Sequence, residues 1–394
     1  VLVTATPRLV ADLDVLERNI DAMASLGRDA GVALRPHVKT HKMPEIATMQ
    51  RDAAAHGITV ATIGEAEVFV DAGFDDVFIA YPLWVDDEAG RRLRALAERA
   101  RVGVGCDSMT AARQLRKPLG SAVVEVLVEL DSGQHRTGIP ARDAGELAAG
   151  IASLGFDVRG VFTFPGHSYS PEGRAQSADD ERAALAGASR ALRAKGIEPH
   201  VRSGGSSPSM AFAARNGAGE GARAGMPGAA SSSGSALTSL PGATSAVNDG
   251  AGPSTDVAPT EMRPGAYVFN DAQQWELGAC TAGDIALTAH ARVVSHSGGR
   301  LVLDAGSKTL AADKAPWASG HGRLLDHPDA RIVQMSEHHA VVDMAGASLP
   351  ALGSTARVVP NHCCNAINLA NAVDVVRNGT LVDTWAVAAR GMNS

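Results

Sequence analysis

Short apolar runs separated by longer amphipathic stretches set the pattern of residues 9–150. Val32–Leu34, Ile58–Thr62, Val77–Ala80, Val102–Val104 and Val123–Leu130 are compact and rich in branched side chains, which predicts buried strands. Between them, Ala-rich charged stretches such as Glu88–Arg101 predict helices. The stretch from Asp12 to Ile20 does the same, with apolar positions near 3.6-residue spacing. Strand and helix in alternation predict parallel strands joined by crossovers, and the number of units in one row favours a closed barrel over an open sheet. Val158–Phe164 continues the series. Beyond residue 272 the rhythm changes. Ile285–Val294, Arg300–Leu303, Ala330–Gln334 and Ala340–Val342 alternate or are β-branched, with turns at Ser297-Gly298-Gly299 and Asp304-Ala305-Gly306. That predicts an all-β second domain. The expected division is a barrel over 1–272 and a β domain over 273–394.

One stretch fits neither rhythm. From about 211 to 259, Gly, Ala and Ser dominate and large apolar side chains nearly vanish. Such low-complexity composition buries no core, so it is expected to be a surface insertion without a catalytic role. Long insertions add little closure entropy.

Composition narrows the function classes. A chain of 394 residues, 45% of them apolar, has material for two domains and a sizeable core. A net charge of −7 argues against a general nucleic-acid binder, which needs a basic surface. No apolar run approaches the roughly 18–20 residues of a membrane span. Val1–Arg8 has no basic segment followed by an apolar core, so no signal peptide is expected there. The chain opens on Val1 rather than Met, which leaves organelle targeting open. Cys106, Cys280, Cys363 and Cys364 make no disulfide framework in a chain this long. A reduced, cytoplasmic setting is expected, with the adjacent pair serving as a metal ligand and a structural neighbour.

Candidate chemistry gathers at strand ends. Pro36-His37-Val38-Lys39-Thr40-His41-Lys42 follows an apolar run and precedes Met43-Pro44-Glu45, where Pro44 suits a first helical turn. Lys39 thus lies where α/β proteins build their sites. Buried beside positive charge it would form a Schiff base, while a solvated basic loop fits the spacing equally well. Gly64-Glu65-Ala66-Glu67 reads as a plain helix cap. Glu129 to Gly138 aims Arg136 into a barrel mouth or pairs it with a surface carboxylate. Ser203-Gly204-Gly205-Ser206-Ser207-Pro208-Ser209, after a strand, offers open backbone N–H groups and hydroxyls for a phosphate, or is a flexible linker. In an extended segment residues i and i+2 face one way, so His362 and Cys364 can reach one divalent ion, and that donor pair suits zinc.

Taken in order, PHVKTHKMPEIA, the Glu129–Gly138 turn, PGHSY, SGGSSPS, EMRPGAYVFND and PNHCC resemble the motifs of the D-threonine aldolase and D-serine dehydratase family. Its members are pyridoxal-phosphate enzymes of the alanine-racemase-like fold, a TIM-type (β/α)8 barrel followed by a β domain. The resemblance implies that Lys39 carries the cofactor and that Arg136 lies beside it. By the same likeness His167 packs on the pyridine ring and Tyr169 reaches cofactor or substrate. Ser203, Gly204, Gly205 and Ser206 hold the phosphate, and Tyr267 closes over it. His362 and Cys364 match the family's P-N-H-x-C and hold a divalent metal (Zn, Mn, Mg or Co), with open positions for water and a substrate hydroxyl. Some aldolases carry a carboxylate where Cys364 stands. Ser336-Glu337-His338-His339 departs from the family's S-E-E-H at His338.

The activity this implies is retro-aldol cleavage of a small-molecule D-3-hydroxy amino acid, D-threonine to glycine and acetaldehyde, by a homodimer paired head to tail. The alternative on the same site is a D-serine or D-threo-3-hydroxyaspartate dehydratase. A non-catalytic cofactor carrier would lack the second domain and the metal corner. A racemase would need a tyrosine from the β domain, where Tyr81, Tyr169 and Tyr267 do not lie.

Overall fold

The computed structural model describes residues 5–213 and 258–394, so the 211–259 stretch lies almost wholly outside the described residues. The chain begins with β1 (Arg8–Asp12), which buries Leu9, Val10 and Ala11. Asp12 caps α1 (Leu13–Ala30) by accepting the N–H groups of Asp14 and Val15, and Gly31 closes it in the left-handed region at φ 66°. Alternation follows: β2 (Ala33–Leu34), α2 (Pro44–Asp52), β3 (Ile58–Val60), α3 (Ile63–Asp71), β4 (Asp76–Pro82), α4 (Asp87–Ala97), β5 (Arg101–Cys106) and α5 (Met109–Leu119). It continues through β6 (Glu125–Leu130), α6 (Ala144–Ser153), β7 (Asp157–Thr163), α7 (Arg174–Arg193), β8 (Val201–Gly204), α8 (Met210–Ala213) and β9 (Glu261–Met262).

β2 to β9 form one parallel sheet in the order β2-β9-β8-β7-β6-β5-β4-β3. A parallel bridge between His37 and Thr59, and a 2.8 Å bond from the Thr59 N–H to Pro36 O, join its two ends. The barrel predicted from alternation is therefore present. Phe78, Leu127 and Phe162 pack inside it, and a larger apolar layer lies between strands and helices.

The second domain holds α9 (Ala272–Glu276), β10 (Leu287–Ser295), β11 (Leu301–Leu303), α10 (Ser307–Leu310), β12 (Gly322–Leu324), β13 (Arg331–Met335) and β14 (Ala340–Asp343). It ends with β15 (Thr355–Pro360), α11 (Cys363–Leu369), β16 (Ala372–Arg377) and β17 (Thr380–Ala386). The sheet order is β11-β14-β13-β12-β15-β10-β1-β16-β17, and β11 also pairs with β10, which closes a small barrel.

The division at residue 272 needs correction at the N-terminus. β1 pairs antiparallel with β10 and parallel with β16, so the first strand belongs to the second domain's sheet. An apolar run records that a strand is buried, not which sheet it joins. Among the described residues no helix is long and apolar enough to cross a membrane.

Candidate active site

Lys39 lies in a single 3-10 turn, Val38–Thr40, between β2 and α2. Val38 is fully buried and its carbonyl accepts from the N–H groups of His41 (3.2 Å) and Lys42 (2.8 Å). Lys42, at φ 57°, turns its ammonium to the buried Glu65 carboxylate at 3.1 Å. Glu65, expected to be only part of a helix cap, anchors this turn. From behind, Gly265 lies flush against it: a Cβ there would stand 2.7 Å from Thr40 Oγ1 and 3.0 Å from His37 O. The turn is thus held on both sides, and Lys39 faces a cavity of about 430 Å³ lined from both domains. That volume suits a cofactor plus a small amino acid.

Burial is the main force lowering the Lys39 pKa. Arg136 and Arg263 add to it, while Cys364 and Glu65 oppose it. His37 is held well below its ordinary value by burial and then by Lys39 and Arg263, so its ring stays neutral. Its Nδ1, on the cavity wall, has no partner among the described residues.

The aromatic wall beside Lys39 is Phe164. The Lys39 ammonium stands 6.0 Å from its ring centroid and the Arg136 guanidinium 5.3 Å. Arg136 and Lys39 thus share one aromatic ring, although Arg136 is exposed and is not in the cavity lining. Tyr169 also lines the cavity. Burial, with nearby Cys364 and Asp271, raises its pKa, so the phenol stays protonated. His167 is absent from the lining, because its Nε2 lies 3.2 Å from Asp180 Oδ2 on α7. The ring beside Lys39 in the lining is that of Phe164, two residues before the PGHSY turn's glycine.

The phosphate loop is only partly as expected. Ser206 lines the cavity and its hydroxyl meets Ser168 Oγ at 2.8 Å and Ser209 Oγ at 2.9 Å. Ser203 and Gly204 do not line it. The Ser203 hydroxyl donates to Glu261 at 2.6 Å and accepts from Arg263. The Gly205 N–H donates to Glu181 Oε2 at 2.7 Å, away from the cavity. The Tyr267 hydroxyl accepts from Gln50 Nε2 at 2.8 Å in the core, and the wall there is made by Gly265 and Ala266. Of the four residues expected to hold the phosphate, Ser206 lines the cavity, while carboxylates hold the Ser203 hydroxyl and the Gly205 N–H. Arg263 was not singled out from sequence. It lines the cavity floor over Phe78 and Phe162, and burial lowers its pKa to about 10, which leaves it a cation.

The metal corner reaches the cavity from the second domain. The extended geometry expected for His362 to Cys364 ends early: His362 is extended, and α11 starts at Cys363. The two donors still lie together on the cavity wall, close enough that each shifts the other's pKa. The other ring nitrogen, Nδ1, lies 2.6 Å from Asp313 Oδ2. Against the effect of burial, Cys364 and Asp313 hold the His362 pKa up at about 11. The Cys363 hydrogen bond and the imidazolium pull Cys364 down to a thiolate. An imidazole beside a thiolate is a donor pair that fits zinc chemistry. Among the described residues no group of three or more His, Cys, Asp and Glu forms a metal cage, so this two-donor corner is an open one. Cys363 turns inward, its N–H on Asp271 at 3.1 Å. Thr40, next to Lys39, places its hydroxyl 3.4 Å from Cys364 Sγ and joins the two halves of the site. Phe164, Arg263, Asp313, Lys314 and Thr40 were not anticipated as site residues. Thr40, Phe164 and Arg263 fall in stretches already noted, whereas Asp313 and Lys314 do not.

Two family models match the chain: "Alanine racemase, N-terminal domain" over residues 11–226 and "Putative serine dehydratase domain" over 286–376. The chain is 32% identical to D-threo-3-hydroxyaspartate dehydratase of Delftia sp., a match that covers 96% of each chain. It is 31% identical to D-threonine aldolase of Arthrobacter sp., covering 98% of this chain and 93% of that one. The crystal structure of D-threonine aldolase from Filomicrobium marinum superposes with a TM-score of 0.79 at 30% identity, covering 98% and 96%.

Proposed function

The chain belongs to the alanine-racemase-like family that holds D-threonine aldolases and D-threo-3-hydroxyaspartate dehydratases, and from that membership we propose that it is a pyridoxal-phosphate- and metal-dependent lyase cleaving D-3-hydroxy amino acids between Cα and Cβ. D-Threonine would give glycine and acetaldehyde. The observation that carries the reading is the convergence of Lys39 with His362 and Cys364 on one cavity, linked through Thr40.

When bound, pyridoxal phosphate supplies an electron sink for the pair released at Cα, and the metal supplies a Lewis acid for the 3-hydroxyl. Lys39 is the amine that carries the cofactor, and its burial favours the neutral, nucleophilic form. Arg136 keeps a positive charge beside it, and Phe164 supplies a flat apolar wall. Tyr169 remains a donor, and His37 offers an unprotonated ring nitrogen. His362 and Cys364 would hold the metal, with Asp313 fixing the imidazole through Nδ1 and leaving Nε2 for the ion.

A second reading is dehydration of D-threo-3-hydroxyaspartate or D-serine to an oxo acid and ammonia, with Lys39 taking the Cα proton. It is supported by the full-length likeness to the Delftia dehydratase, while Cys364 is compatible with either chemistry. The head-to-tail homodimer and an intracellular location belong to the same proposal, the latter supported by four free cysteines. The test is incubation of metal-depleted and reconstituted enzyme with D-threonine, D-serine and D-threo-3-hydroxyaspartate. Aldehyde and glycine support the aldolase. Oxo acid and ammonia without aldehyde overturn it in favour of the dehydratase.

A further inference from the structure

Residues 311–318 lead from α10 toward β12 and roof the cavity, with Asp313, Lys314 and Ala315 in its lining. The segment is pinned at two points. Asp313 holds His362 at 2.6 Å, and the Trp317 indole N–H donates to Tyr169 O at 2.9 Å. Lys314 lies between these anchors, so its backbone is fixed to both the metal corner and the barrel.

Three basic side chains line the cavity: Lys39, Arg263 and Lys314. Lys39 is the amine that carries the cofactor. Arg263 is committed to Ser203 and to Thr163 O at 2.5 Å, deep on the floor. The cavity's carboxylates are committed as well. Asp271 accepts from the N–H groups of Gln274 and Cys363, and Asp313 accepts from His362. The Lys314 side chain makes no hydrogen bond or ion pair among the described residues, and it is exposed at the cavity edge. A cation so placed, next in sequence to the residue that holds His362, awaits an anion from the ligand.

We propose that Lys314 makes this site selective for D-3-hydroxy amino acids bearing a second carboxylate on Cβ. The inference rests on the lyase reading above and deepens it. A 3-hydroxyl facing His362 and Cys364 shares its carbon with the remaining Cβ substituent. Whatever holds the hydroxyl therefore sets that substituent beside the same roof. A methyl or hydrogen there gains nothing from an ammonium, whereas a carboxylate gains a charge-assisted hydrogen bond. The selectivity is independent of which bond breaks. From 3-hydroxyaspartate, Cα–Cβ cleavage gives glycine and glyoxylate, and elimination gives oxaloacetate and ammonia.

The test compares wild type, Lys314→Ala and Lys314→Arg as holoenzymes. Lys314→Ala is expected to lower kcat/KM for D-threo-3-hydroxyaspartate by about tenfold or more, mainly through KM, and Lys314→Arg to recover most of it. D-Threonine and D-serine should stay within about threefold. Binding supplies a readout apart from turnover. D-Aspartate and D-alanine lack the 3-hydroxyl, and their dissociation constants follow from the cofactor absorbance. Lys314→Ala should weaken D-aspartate by a similar factor and leave D-alanine unchanged. An equal loss on all three substrates would assign Lys314 to the α-carboxylate and overturn the selectivity. So would no loss on any of them. A wild type inactive on every D-3-hydroxy amino acid overturns the lyase reading itself, while an active enzyme of unaltered selectivity overturns only the role of Lys314.

Discussion

Glu181 makes a sharp test of the electrostatics beneath the phosphate loop. It comes from α7, is 1% exposed, and accepts the Gly205 N–H at 2.7 Å. Burial drives its pKa up to about 7 from 4.5, and the Gly205 bond and Arg263 offset only part of that effect. The folded protein therefore holds this proton more tightly than the unfolded chain does. Between pH 4.5 and 7 the folded state carries more protons, so stability falls as pH rises through that window and levels off above it. At about 1.4 kcal/mol per pKa unit, full ionisation costs about 3 kcal/mol, of which about 2.5 kcal/mol falls between pH 5 and 8. Glu181→Gln keeps an oxygen for the Gly205 N–H and removes the titration. Urea unfolding of the apoprotein at pH 5 and pH 8, with equal m-values, should show wild type losing about 2–3 kcal/mol more than the variant across the interval. Parallel losses in the two proteins would refute the assignment.

Three other outcomes are expected. Asp313→Ala frees His362 Nδ1 and should weaken zinc binding by about 10–100-fold in chelator competition, with the cofactor absorbance unchanged. Thr40→Val removes the hydroxyl from Cys364 Sγ and should weaken zinc by roughly tenfold, while Thr40→Ser retains near wild-type affinity. Gly160→Ala places a Cβ on top of the Val201 carbonyl at φ 150°, where the β7–β8 ladder cannot yield, so a loss of about 3 kcal/mol or more is expected in urea unfolding.

What the sequence made legible was what lies close together in sequence. Lys39, with Pro44 behind it and a strand before it, needs only local rules, and α2 does start at Pro44. His362 and Cys364 are two residues apart, so their meeting survives even though the segment between them turns helical. The direction of a side chain within a motif was not legible. Ser203 and Tyr267 are claimed by Glu261 and Gln50, partners 58 and 217 residues away, and His167 is claimed by Asp180 across the start of α7. Asp313 is invisible for the same reason, standing 49 residues from the histidine it fixes. The sheet membership of β1 depends on strands formed near the end of the chain.

That last point bears on how the site is assembled. β1 is completed by β10 and β16, so the second domain is not finished until both ends of the chain are in place, with the whole barrel threaded between them. The seam is also where the chemistry lies. Thr40 meets Cys364, Trp317 holds Tyr169, Gln273 donates to Asn361 O at 3.0 Å, and the Lys42 ammonium reaches Ala389 O at 3.3 Å. Each contact joins residues far apart in sequence, and each touches the lysine turn, the cavity wall or the segment bearing His362. A separated barrel would keep Lys39 and lose His362, Cys364 and Lys314. A separated β domain would keep those three and lose its own β1. The cofactor lysine and the metal corner are therefore brought into reach only by a docking that the chain topology makes obligatory, and substitutions that loosen the seam should reduce metal affinity before they disturb either core.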